Sequence, residues 1–345
     1  RERRPRRSVW RKPEVRCSMR TNLPIEVKFV RRNAGDGVPY VSIGREVQRM
    51  DHNKRIFALG FFDGVHRGHQ VLLHACTRLA RQYGYGSAAI TFEAHPQSLF
   101  RTDPPPLLTT CEDRIRLLRR YGIESVWAYP VNEAVMGMHW EVFLTELYRR
   151  YGARGFVCGH DFRFGSRGEG NAEKLRQFCR ERHLDCVIIP EQTLDEVRIS
   201  STYIRRQIEE GDMATAVRFL GHGHMLTGTV VTGRKLGHKL GFPTANIELP
   251  ENVIVPRHGV YACRAYVGPK SWMAVCNVGN RPTVRGHQIR TETWLLDFEG
   301  DLYGKAVTLE FLYFLRPEQR FESLDVLKAA VLADAENTRR FFEKT

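Results

Sequence analysis

The sequence predicts two architectures in tandem: an α/β domain on a parallel sheet, then a closed antiparallel β-barrel finished by a C-terminal helix. Three observations predict this. Between Arg55 and Ile189, short apolar runs alternate with segments of helical periodicity, the pattern that yields a parallel sheet covered on both faces. Beyond Gly221 long helical segments stop, and short strands separated by glycine and proline turns take over, as in small barrels. Ser323 to Phe342 then reads as one amphipathic helix.

The elements follow in order. Residues 1–49 hold 14 Lys and Arg against 5 Asp and Glu, which is nine of the chain's net +14 charges. Such a run can bind nucleic acid. With so little apolar pattern, residues 1–50 are expected to be a basic, disordered leader, and no nucleic-acid partner is expected. Met19 and Met50 are internal and the chain begins with Arg1, so the natural start stays open. Ile56 to Gly60 reads as a buried strand ending in glycine. Val71, Leu72, Ala75 and Leu79 then fall at helical spacing. Ser87–Phe92, Ser125–Tyr129, Gly155–Cys158 and Cys186–Ile189 read as further strands, and Arg114–Tyr121, Trp140–Tyr151 and Ala172–Arg182 as helices. Gly221-His222-Gly223-His224 reads as a linker, which predicts one domain over 51–221 and a second over 222–345. In that second part five strands are legible: Leu226–Val231, Gly259–Val267, Trp272–Val278, Thr291–Phe298 and Val307–Leu312.

No apolar run reaches the roughly 18 residues of a membrane span, so no membrane association is expected. The eight cysteines, at 17, 76, 111, 158, 179, 186, 263 and 276, form no Cys-x-x-Cys pair. Zinc ribbons and dithiol redox motifs need that spacing. Scattered cysteines suit a reducing compartment, and the protein is expected to be cytoplasmic.

Gly60-Phe61-Phe62-Asp63-Gly64-Val65-His66-Arg67-Gly68-His69 lies between the first strand and first helix. Glycines there let backbone amides approach phosphate, and the helix start points its positive end at the same place. Two histidines three apart can each donate a hydrogen bond to a bound polyphosphate. This string resembles the His-x-Gly-His signature of the nucleotidylyltransferase superfamily. At greater length, Phe62 to Gln70 resembles the bifunctional bacterial riboflavin kinase/FMN adenylyltransferase family. Thr91-Phe92-Glu93-Ala94-His95-Pro96, Gly159-His160-Asp161-Phe162-Arg163-Phe164-Gly165 and Arg198-Ile199-Ser200-Ser201-Thr202-Tyr203-Ile204-Arg205 resemble further elements of that family. Phe61 stands where many members carry Asn, and Ala94 where Pro is usual.

The resemblance implies a nucleotidylyltransferase-like, Rossmann-like domain that adenylylates FMN with ATP. It implies His66 and His69 at the triphosphate, and Arg198, Ser201 and Arg205 at the departing pyrophosphate, with Arg205 on the first turn of its helix. Gly60, Asp63, Gly64 and Gly68 are expected to bind ATP. Asp161 and Phe162 are expected to line the nucleotide or flavin pocket.

Gly228 to Asn246 is the densest string of the chain. Gly233, Gly237 and Gly241 permit a loop that wraps phosphate with amides. Thr244 and Asn246 are neutral oxygen ligands two apart, which suits a magnesium ion held mainly by ATP phosphates. Walker A is excluded because Gly-Lys-Ser/Thr is absent. Pro243-Thr244-Ala245-Asn246 resembles the Pro-Thr-Ala-Asn motif of riboflavin kinases, as Asn277 to Thr283 and Glu292 to Phe298 resemble two later elements. That resemblance implies a six-stranded barrel, the sixth strand being absent from the five legible ones. It implies Glu292 as general base toward the ribityl 5′-hydroxyl, Gly233, Gly237, Lys239, Gly241, Pro243, Thr244 and Asn246 at ATP, and Arg281 at the flavin. His238 stands where many members have Arg, leaving phosphate contact there to Lys239 or Arg234. The implied substrates are riboflavin, FMN and ATP, with Mg2+ as cofactor. Two rivals are weighed: a kinase whose first half no longer works, disfavoured because His66, His69, Arg198 and Arg205 all remain in place, and a nucleic-acid-binding or flavin-sensing module suggested by the basic leader.

Overall fold

A computed structural model describes residues 26–32, 39–41, 54–233, 241–283 and 286–344, with side chains except in 26–32, 39–41, 280–283 and 286–290. The first sheet has seven strands: β1 (Glu26–Arg32), β2 (Pro39–Val41), β3 (Arg55–Leu59), β4 (Gly86–Phe92), β5 (Ser125–Tyr129), β6 (Ala153–Gly159) and β7 (Asp185–Ile189). Their spatial order is β2-β1-β5-β4-β3-β6-β7. All run parallel except β2, which lies antiparallel to β1 at the edge. The basic leader is therefore not wholly without structure. Glu26–Arg32 pairs with β5, Glu26 opposite Ser125, and its other side is covered by β2, which forms the border of the sheet.

The sheet is buried on both faces because its strands alternate between two cores. Phe57 and Leu59 of β3 pack with Trp127, Phe156, Leu175 and Phe178, while Ile56 and Ala58 pack with Leu72, Leu73, Cys76 and Leu118. Fully burying one such side chain stabilises the fold by about 1.5–3 kcal/mol.

The covering helices are α1 (Arg67–Tyr83), α2 (Cys111–Arg120), α3 (Glu133–Met136), α4 (Trp140–Arg149) and α5 (Ala172–Glu181). Helix α2 begins three residues before the predicted Arg114, because the Thr110 side chain caps it by accepting from the Asp113 amide at 3.0 Å. A two-stranded ribbon of β8 (Thr193–Leu194) and β9 (Val197–Arg198) precedes α6 (Ser201–Glu210) and α7 (Met213–Leu220).

The barrel closes in the order β10-β11-β14-β13-β12-β15. Its strands are β10 (His224–Val231), β11 (Ala245–Glu248), β12 (Gly259–Val267), β13 (Lys270–Thr283), β14 (Gly286–Leu295) and β15 (Ala306–Arg316), followed by helix α8 (Leu324–Glu343). The sixth strand is β11. It is only four residues long and was illegible by pattern because Ala-Asn-Ile-Glu has one strongly apolar member. The predicted strand Thr291–Phe298 is shifted: β14 stops at Leu295, before Asp297 turns with φ 60°. A bidentate pair of Arg316 with Asp334, at 3.0 and 2.8 Å, ties α8 to β15.

The two units share one core. Ile204, Ile208, Phe219 and Leu220 of α6 and α7 pack with Leu226, Tyr261 and Phe311 of the barrel. Polar contacts close the seam. Thr227 donates its amide and hydroxyl to Asp113 at 3.1 and 2.5 Å. Leu107 exchanges backbone hydrogen bonds with Asn252 and Ile254, at 2.8 and 2.7 Å.

Candidate functional sites

Strand β3 lies between β4 and β6, so successive strands depart from it in opposite directions. Ligands of such sheets sit beyond the carboxyl ends at this switch point. A cleft opens there, lined by Gly60, Phe61, His66, Gly68 and His69 after β3, by Asp161 and Phe162 after β6, and by Glu191, Gln192, Arg198 and Ser201.

The loop after β3 carries unusual backbone. Phe62 and Val65 have φ of 59° and 40°, which a β-branched residue such as Val65 adopts only under tertiary constraint. Gly64 is required at φ 76°, where an added Cβ would lie 2.6 Å from Leu108. His66 caps α1, its Nδ1 accepting from the His69 amide at 3.3 Å. That bond leaves Nε2 as the N–H donor of a neutral ring. The two imidazoles stack, with centroids 3.6 Å apart. Burial pulls the His66 pKa down to about 4, against a smaller upward pull from Asp63. Burial, then His66 and Arg114, hold His69 well below its ordinary value. Both rings are therefore neutral donors near pH 7, and the buried His69 Nδ1 has no hydrogen-bond partner among the described residues.

Other residues of the motif lie elsewhere. Asp63 is 2% exposed and does not line the cleft. Its carboxylate accepts from the amides of Leu108 and Thr109, at 3.0 and 3.1 Å, and pairs with Arg205 at 2.6 Å. Gly64 likewise turns inward. Its amide donates to Thr109 Oγ1 at 3.2 Å, and its carbonyl faces His222 Nε2 at 3.0 Å. Asp63 and Gly64, both expected at ATP, here direct these polar groups to the loop's own support. Arg205 is the fifth residue of α6, on its second turn rather than its first, and also donates to the Pro106 carbonyl at 2.7 Å. Ser201 Oγ donates to the Asp63 carbonyl at 3.0 Å. Arg198 lies in the cleft between two carboxylates, Asp161 at 2.5 Å and Glu191 at 3.1 Å.

Two supports escaped motif reading. Arg114 is wholly buried beneath Phe61. Its signal was its place three and four residues before Leu117 and Leu118, on the apolar stripe of α2. His222, read only as linker, stands between the carbonyls of Gly64 and Gly223, at 3.0 and 2.7 Å.

The second constellation lies across the barrel wall. Glu292 on β14 is directly opposite Asn246 on β11 and Asn277 on β13, so the three side chains share a face. Thr291 and Thr293 on either side point inward and are fully buried. The Oδ1 atoms of Asn246 and Asn277 are buried and have no hydrogen-bond partner among the described residues. Two orphaned amide oxygens beside a carboxylate suit a hard cation or a hydroxyl-bearing ligand. Gly233 abuts this row: a Cβ there would lie 2.0 Å from Asn246 Nδ2. Thr244 and Pro243 lie just before β11, and Gly241 turns with φ 89°. Gly237 and Lys239, with Arg234 and His238, lie outside the described residues. The backbone of Arg281 pairs with Gln288 in the β13–β14 ladder.

These two sites coincide with the two halves found by comparison with known proteins. A family model described as FAD synthetase matches residues 48–203, and one described as riboflavin kinase matches residues 220–342. A Listeria monocytogenes protein named bifunctional riboflavin kinase/FMN adenylyltransferase is 32% identical over 297 residues, covering 85% of this chain and 94% of its own. The Escherichia coli K12 protein of the same name is 37% identical over 295 residues, covering 84% and 93%. A crystal structure described as a macrolide-efflux protein from Streptococcus pneumoniae superposes with a TM-score of 0.74 at 29% identity, over 83% of this chain and 94% of that one. With both halves matched in order and the relatives covered almost end to end, the chain belongs to the bifunctional riboflavin kinase/FMN adenylyltransferase family.

Proposed function

We propose that this protein makes both flavin cofactors: its barrel phosphorylates riboflavin with ATP to give FMN and ADP, and its α/β domain adenylylates FMN with ATP to give FAD and diphosphate. The observation that carries the second activity is the stacked, neutral His66–His69 pair in the switch-point cleft. In adenylyl transfer a phosphate oxygen of FMN attacks the α-phosphorus of ATP while the bond to diphosphate breaks. No covalent enzyme intermediate is needed, so positioned donors carry the catalysis. Neutral imidazole N–H groups and the first amides of α1 supply such donors. Arg198 and Ser201, which line the same cleft, receive the diphosphate in this reading, and Arg205 acts from behind by fixing Asp63 and the loop. Asp161 and Phe162 form the wall for the flavin or nucleotide.

On the barrel, Glu292 takes the proton of the ribityl 5′-hydroxyl as its oxygen attacks the γ-phosphorus and ADP departs. Thr244 and the orphaned Asn246 Oδ1 would hold the magnesium ion, which when bound neutralises charge on the β- and γ-phosphates. Gly233 keeps the Asn246 amide free of steric interference, and the family pattern assigns Gly237, Lys239, Gly241 and Pro243 to ATP and Arg281 to the flavin. We place the reactions in the cytoplasm on the scattered cysteines of the sequence. Incubating the pure protein with riboflavin, ATP and magnesium, then separating products, tests the proposal. FMN and FAD together are expected. FMN alone would leave only the kinase, and neither product would overturn both assignments.

A further inference from the structure

Arg114 on α2 is 0% exposed, and among the described residues its hydrogen bonds all end on neutral oxygens. Nη1 donates to Phe92 O at 2.7 Å, Thr91 Oγ1 at 2.9 Å and Phe61 O at 3.5 Å, and the other nitrogens reach Thr109 O at 3.2 Å and Thr109 Oγ1 at 3.5 Å. Its charge centre lies 4.3 Å from the Phe61 ring centroid, and Phe61 is part of the cleft lining. Burial lowers its pKa, partly countered by Asp63, but a guanidinium remains charged in protein. A buried cation without a bonded carboxylate is costly to the fold. Asp63, the carboxylate that acts on it, is already paired with Arg205. The cleft that Phe61 lines is where a polyphosphate would bring further negative charge near it.

The same side chain also ties together three separate pieces of the site: the end of β4 at Thr91 and Phe92, the loop at Phe61, and Thr109, which in turn holds Asp63 and Gly64. We propose that Arg114 is a positioning residue for adenylyl transfer, a buried cation that sets the Phe61 floor and favours the polyphosphate bound above it. This rests on the assignment of the His66–His69 cleft to that reaction. Lysine in its place keeps the charge and loses the fork, whereas methionine keeps the bulk and loses both.

The test uses the full chain as wild type, Arg114→Met, Arg114→Lys and His66→Ala. Four quantities are read: kcat and KM for ATP in FAD formation across pH, FMN formation, and thermal midpoint. Arg114→Met is expected to lower kcat/KM for ATP by about 10- to 100-fold, the size of effect that a small misplacement at a reacting centre produces. Arg114→Lys should recover most of that loss, and FMN formation should stay within about twofold of wild type in both, because distant independent sites rarely couple. The acid limb of the FAD profile should move to higher pH in Arg114→Met, since His69 loses a repelling cation while His66 and the desolvation remain. A purely structural role would move the thermal midpoint and leave the profile and the lysine rescue flat, which overturns the proposal. If Arg114→Met does not fold, Arg114→Lys decides: FAD formation within about tenfold of wild type supports the charge, and a larger loss at an unchanged midpoint overturns it. Activity lost in His66→Ala but intact in Arg114→Met overturns the role of Arg114 alone. Activity intact in both overturns the cleft assignment and the proposal with it.

Discussion

The carboxylate of Asp63 accepts from the Arg205 guanidinium at 2.6 Å, with the two side chains only 2% and 11% exposed. This pair joins the loop after β3 to α6, and with the Leu108 and Thr109 amides it gives Asp63 a full set of donors. Two residues that belong to different nucleotide-binding strings in the sequence are thereby partners in one buried brace.

Asp63→Asn keeps the shape and removes the charge. Arg205 is then left nearly buried without an anion, a change that typically costs about 3–5 kcal/mol. Urea unfolding should show that loss, and FAD formation should fall with it. Unchanged stability would mean that the brace contributes nothing.

Gly233→Ala tests the close approach at the kinase site. The new Cβ would sit 2.0 Å from Asn246 Nδ2, so the amide must move. FMN formation should drop by about tenfold or more, given the sensitivity of phosphoryl transfer to positioning. Conversion of added FMN to FAD should persist. Kinase rates equal to wild type would remove Asn246 from the mechanism.

Glu292→Ala should abolish FMN formation and leave FMN-to-FAD conversion largely intact, because Glu292 lies on the barrel ladder between Asn246 and Asn277. Product analysis with each flavin supplied separately reads both rates. Equal loss of the two would contradict independent sites.

Acid should destabilise the fold in a definite window. Burial lowers the pKa of His66 and of His224 from 6.5 to about 4. The unfolded chain therefore takes up protons that the folded chain refuses, and stability falls as pH drops from 6.5 toward 4. At about 1.4 kcal/mol per unit each ring contributes up to about 3 kcal/mol. Denaturation midpoints at several pH values should trace that decline and flatten above the window. A flat profile through it would show that these rings are not held neutral.

Much of the architecture was legible. Ser125–Tyr129 is a strand with the bounds its apolar run predicts, and Gly259–Val267 likewise, because continuous apolar or alternating runs report burial directly. His66, His69, Arg198 and Ser201, from separate motif strings, line one cleft. Other features had no local signal. Strand β11 is too short and polar to announce itself, and it is held by its partners β10 and β14.

The sequence by itself determined the order of strands and helices, the change from α/β to barrel near residue 221, and the family, since periodicity and motif strings are properties of neighbouring residues. Only the tertiary structure decided which motif residues line the cleft. Asp63 and Gly64 are hydrogen-bonded by Thr109, distant in the chain, and α6 and α7 complete the barrel's core rather than the sheet's. Where a polar group points is settled by the best-placed partner in space, and no stretch of neighbouring residues encodes that.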